Sequence, residues 1–207
     1  MRPDDVLDWW FGDWKDSAPL RDGDPNLLRW WHRDAAVDAE ARERFGVVHA
    51  ELARGEHEDW EQTARGALAK VIVLDQLSRM LYRGSARAFR WDEQARGVTQ
   101  RALEQARDRE LRPIERVFLY LPLMHAEDRV PHRRALALYS DLAEEVEEAG
   151  LARADIYRRF VAWEVRHKKV IDRFGRYPHR NLPLERTSTP EELAFIDAES
   201  SRTDPGV

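Results

Sequence analysis

The chain has 207 residues, 43% of them hydrophobic and 35% charged, with a net charge of −5 and no cysteine. Its length and aromatic content suffice for one core-bearing domain, expected over 1–198, with a flexible tail over 199–207. Disulfides, thiolate chemistry and cysteine-based zinc sites are excluded, and the acidic balance speaks against a nucleic-acid partner.

The amino terminus, Met1-Arg2-Pro3-Asp4-Asp5, lacks the basic-then-apolar layout of a signal peptide. No apolar run approaches the length of a membrane span, so a cytoplasmic protein with no membrane partner is expected. Two short helices are expected at 6–11 and 26–33. Asp38 is read as the cap of a helix over 38–53, stopped by Gly55. Thr63 opens a helix over 64–82 that ends at Gly84. A helix with a mostly solvated surface follows over 92–107. Pro113 suits a first helical position and predicts a helix over 113–128, with Pro122 inside it. Further helices are expected over 131–148 and 152–174, the second stopped by Gly175. Thr189-Pro190-Glu191-Glu192 has the form of a capping box. No stretch alternates as a strand does. The fold expected is all-α, with about 7–9 helices and short connections that favour antiparallel hairpins.

Three of these helices carry polar residues in apolar seats. At about 100° per residue, Asp75 falls among Leu68, Val71, Ile72 and Tyr82, with Arg79 one turn on. His167 interrupts the stripe of Ile156, Phe160, Trp163, Val170, Ile171 and Phe174. The stripe of Ile114, Val117, Leu121 and Met124 runs onto Asp128, with His125 at its margin. A buried polar group without a partner costs about 1–3 kcal/mol, so these groups are expected to meet as one network. Past Gly175, the segment Arg173 to Asn181 holds Arg173, Arg176, His179 and Arg180. Its guanidinium forks suit a carboxylate or phosphate. The same groups also suit the last carbonyls of the preceding helix.

The chain resembles the bacterial "domain of unknown function 924" family over nearly its whole length. The resemblance is carried by Val6 to Gly12, Arg65-Gly66-Ala67-Leu68, Leu74 to Arg79 and Arg83 to Phe89. It continues through Glu115 to Pro122, His125-Ala126-Glu127-Asp128, His167, Arg173 to Asn181 and Ser188 to Glu192. It implies a tetratricopeptide-like superhelix of stacked helical hairpins and brings no assigned activity. Leu77-Ser78-Arg79-Met80 stands where the family pattern has Phe-Pro-Arg-Asn, and Met124 where it has Glu.

Two functions and one structural role fit these residues. The first is a binding module that holds a small anionic ligand or an acidic peptide end through Asp75, Arg79, His125, Asp128, His167, Arg173, Arg176, His179 and Arg180. The second is a hydrolase- or lyase-type enzyme, with His125, Asp128 and His167 as candidate acid–base residues. In the third, the network only fixes helix register. No cofactor is expected, and no metal, because the histidines and acids lack the spacing of a metal motif. The tryptophans Trp9, Trp10, Trp14, Trp30 and Trp31 are read as core or subunit contact, which is compatible with a homo-oligomer.

Overall fold

The computed structural model describes residues 1–18 and 23–200. The helices are α1 (Pro3–Phe11), α2 (Pro25–Trp31), α3 (Ala35–Ala53), α4 (Ala64–Val71), α5 (Ser78–Leu81), α6 (Asp92–Glu104), α7 (Pro113–Met124), α8 (Arg129–Glu148), α9 (Ala154–Phe174) and α10 (Pro190–Ser200). A π-helical stretch, Ile72–Leu77, joins α4 to α5 without a break. With that rod counted once, nine helices and no strand are found among the described residues. The part of the expected tail beyond Ser200 lies outside them. No described helix is long and apolar enough to cross a membrane.

Local chemistry sets most of the boundaries. The Thr63 side chain accepts from the Gly66 N–H at 3.0 Å and starts α4. Pro113 and Pro190 occupy first-turn positions of α7 and α10. Gly84 and Gly175 take positive φ, 78° and 70°, where the chain leaves α5 and α9. Two starts differ from the sequence reading. Asp34, not Asp38, caps α3 by accepting from the N–H groups of Ala36 and Val37. The helix expected to reach residue 128 ends at Met124, and Asp128 caps the next helix instead by accepting from Val130 N–H.

The rod of α4, π stretch and α5 is buried on almost every side, among α1, α3, α6 and α7. Consecutive helices α6, α7, α8 and α9 pack in turn, an arrangement consistent with stacked hairpins. The amino-terminal tryptophans fill the core as the sequence suggested. Trp10, Trp14 and Trp30 are buried, and Trp30 lies 4.8 Å from Phe118 and 4.9 Å from Trp14 between ring centroids. The Trp30 indole N–H donates to the Trp10 carbonyl at 3.0 Å, so its one polar atom is satisfied.

Candidate functional site

The site is built where the π stretch meets the end of α7. A π turn widens the helix, and such turns are rare and recur at functional sites. Here the widened turn leaves backbone carbonyls to side-chain donors. Arg79 Nη1 donates to the Asp75 carbonyl at 2.6 Å, and the Ser78 hydroxyl donates to the Leu74 carbonyl at 2.6 Å. The Asp75 carboxylate is fully buried. It accepts from His125 Nδ1 at 2.8 and 3.0 Å and from the Gln76 amide at 2.5 Å, with Arg79 Nη1 at 3.2 Å.

Burial raises the Asp75 pKa, but the Arg79 charge and His125 outweigh it and hold the carboxyl well below the usual range. The ionised carboxylate fixes the tautomer of His125: Nδ1 carries the hydrogen and Nε2 the lone pair. Burial lowers the His125 pKa, and Asp75 opposes that without cancelling it. The His125 side chain is 16% exposed, so the imidazole touches solvent while its orienting carboxylate does not. Nε2 has no hydrogen-bond partner among the described residues. His125 sits at the end of α7, one turn past Pro122, where the helix stops.

A second layer tightens the first. Arg79 also grips Asp92 through two parallel bonds of 3.0 Å. Arg180 Nη1 donates to the same carboxylate at 3.0 Å. The Arg180 guanidinium lies 4.7 Å from both the Phe89 and Tyr177 ring centroids, a cation between two aromatic faces. Its Nε is buried without a hydrogen-bond partner among the described residues. The Tyr177 hydroxyl donates to the Met124 carbonyl at 2.5 Å, pinning the loop after α9 to the end of α7.

A family model described as "Bacterial protein of unknown function (DUF924)" matches residues 6–200. The chain belongs to the DUF924 family. It is similar to a solved protein of unknown function from Agrobacterium tumefaciens, at 32% identity and a TM-score of 0.76. That likeness covers 95% of this chain and 97% of the other. No curated protein matches this DUF924 member.

The nine residues singled out from the sequence separate into three groups. Asp75, Arg79, His125 and Arg180 form the cluster just described. His167 and His179 stand beside it, their ring centroids 5.7 and 5.4 Å from that of Tyr177. His167 Nδ1 donates to the Trp163 carbonyl at 2.8 Å, which again leaves Nε2 as the lone-pair nitrogen. Burial holds both imidazoles neutral, His167 at about 4 and His179 at about 3. Asp128, Arg173 and Arg176 lie elsewhere. Asp128 is exposed and occupied as the α8 cap. Arg173 pairs with Glu191 at 2.6 Å, and Arg176 holds Glu192 through bonds of 2.7 and 2.8 Å. The loop's charge is therefore largely matched within the chain. The ligand atoms of His125, His167 and His179 do not gather closely enough to hold one ion; the set that does among the described residues is Glu51, Glu56 and His57, remote in sequence from this cluster.

Three groups at or beside the site were not anticipated: Asp92, and the buried pair His132–Glu164 at 2.7 Å. Glu164 had a readable signal, since it falls on the same helical stripe as Phe160 and Ile171 and is fully buried. Asp92 had none, because its role depends on loops that bring Arg79 and Arg180 to it.

Proposed function

We propose that this DUF924 protein is an acid–base enzyme of hydrolase or lyase type acting on a small anionic substrate in the cytoplasm, without a nucleic-acid partner. His125 is the proton-transfer residue and Asp75 the residue that positions it. The observation that carries this reading is the His125–Asp75 hydrogen bond of 2.8 Å, which leaves Nε2 unengaged on a partly exposed ring. Such an imidazole takes a proton at Nε2 from water or substrate, and the imidazolium is stabilised by the carboxylate at Nδ1. The same proton then passes to the leaving group, restoring neutral His125. The charges of Arg79 and Arg180 are matched by Asp75 and Asp92, and the Arg180 Nε–H, which has no hydrogen-bond partner among the described residues, is the donor left for an anion.

The test is a screen of ester, amide, phosphomonoester and hydroxy-acid substrates against the wild type, with His125→Gln as the comparison. Loss of a positioned acid–base group lowers kcat by about 10²–10⁴-fold. An activity that His125→Gln retains in full removes the assignment. Binding of an anion or acidic peptide end by the loop without turnover is the second reading. It ranks lower because Glu191, Glu192 and Asp92 already engage Arg173, Arg176 and Arg180.

A further inference from the structure

Between the carboxy-terminal half of α9 and α10 lies a cleft of about 380 Å³ that does not include His125. Its size falls within the range of small-molecule sites, roughly 300–1,000 Å³. One wall is apolar: Val170, Phe174 and Phe195, with the Phe174 and Phe195 rings 5.2 Å apart and tilted. Tyr177 and the two neutral imidazoles, His167 and His179, also line it, and the Tyr177 ring faces the Arg180 guanidinium of the cluster. The charged residues of the lining are Arg166, Lys169 and Arg173 against the carboxylate of Glu199. Arg166 is paired with Glu199 at 3.5 Å and Arg173 with Glu191 at 2.6 Å. Lys169 is exposed and takes part in no ion pair among the described residues.

A cleft with an apolar wall, neutral histidines and an unmatched ammonium selects a particular chemistry. Burying aromatic carbon against Phe174 and Phe195 supplies the non-specific affinity, on the order of 25 cal/mol per Å². The ammonium rewards one negative charge at the end of that body. A polyanion is disfavoured, because Glu199 stands in the same lining and the imidazoles stay uncharged. We infer that this cleft is a binding site for a small aromatic monocarboxylate, its ring against Phe174 and Phe195 and its carboxylate on Lys169. The inference rests on the cleft's own geometry and stands apart from proton transfer at His125.

Calorimetric titration of the intact protein with 2-naphthoate and with its uncharged counterpart 2-naphthalenemethanol tests it. Naphthoate should saturate a single site and bind about tenfold more tightly than the alcohol, as one charge-assisted contact predicts. Lys169→Glu should remove that advantage and leave the affinity for the alcohol as it was; Lys169 is on the surface, and circular dichroism checks that the fold is retained. Phe195→Ala should weaken both probes alike. His125→Gln should change neither, even where it abolishes turnover, so failure of the cleft and failure of the enzymatic reading give different results. Absence of saturable naphthoate binding, equal affinity for the two probes, or an unaltered naphthoate affinity in Lys169→Glu would each overturn the inference.

Discussion

At the scale of single residues, Asp75 is the buried charge on which the site turns. Asp75 is an ion with no exposure, tolerated because Arg79, His125 and Gln76 surround it. Removing one partner of a buried pair costs more than the pair contributes, since the other charge is left in low dielectric. Asp75→Asn keeps the shape and removes the charge, while Arg79 retains Asp92 at 3.0 Å. The expected loss is therefore about 3 kcal/mol, the low end for a broken buried pair. A urea titration comparing Asp75→Asn with the wild type measures it, and a difference under half a kilocalorie would mean the carboxylate is not an ion in the fold. Met124 adds a family-level contrast. Its side chain is buried, and its carbonyl receives the Tyr177 hydroxyl. A glutamate at this position, as in the family pattern, would bring a further carboxylate next to His125.

At the scale of elements, the connection between Trp60 and α4 is a close-packed joint. A Cβ on Gly66 would lie 2.0 Å from the Trp60 carbonyl oxygen, a backbone atom that cannot swing aside. Gly66→Ala must push the turn at Glu58–Gln62 away from α4 and strain the Thr63 cap. Overpacking of this kind costs about 1–3 kcal/mol. Thr63→Ala, which only removes the cap, should cost about 1 kcal/mol. Thermal unfolding of the two variants checks the order, and a Gly66→Ala protein as stable as the wild type would show that the approach is not close. The helices themselves were legible because their ends are chemical: Thr63, Pro113, Pro190, Gly84 and Gly175 stop or start them in place. The site was legible in part through helical periodicity. It drew Asp75, Arg79 and His125 towards one another, and the structure joins them, although Asp75 itself lies inside the π stretch. It misplaced Asp128 by projecting the α7 stripe past Met124, where the helix has ended. The π stretch at Ile72–Leu77 was invisible for a related reason, because a wheel drawn at a fixed angle assumes away a widened turn. Asp92 belongs to tertiary folding, and no local pattern announces it.

At the scale of the whole molecule, the buried titratable groups set how stability follows pH. His49 is fully buried, bonded through Nε2 to the Ser78 hydroxyl at 2.7 Å, and its Nδ1 has no hydrogen-bond partner among the described residues. Burial lowers its pKa to about 4. The folded state thus refuses a proton that the unfolded chain takes up below its ordinary value of 6.5. Stability from this group is fully present above that value and is lost as pH falls towards 4. His167 acts in the same sense, with its pKa also near 4. Asp75 adds a loss at lower pH still, once the unfolded carboxyl protonates near 3.8 while the folded one stays ionised. Glu164 runs the other way, since burial raises its pKa and its cost grows as pH rises. The His132 hydrogen bond at 2.7 Å offsets part of that cost. From pH 6.5 down towards 4, before the unfolded carboxyls protonate, the histidines carry the effect. Replacing His49 by Phe removes one of them, keeps an aromatic ring against Trp91 and leaves the Ser78 hydroxyl its bond to the Leu74 carbonyl. The variant should match the wild type within about 1 kcal/mol at pH 7.5, because it also deletes an unpartnered buried nitrogen. Between pH 7.5 and 4.5 the wild type should lose on the order of 2 kcal/mol more than the variant, the work of withholding one proton across that interval. Urea midpoints at the two pH values give the comparison directly. Parallel losses in the two proteins would show that His49 takes up its proton without unfolding, and that its burial is less complete than its packing indicates.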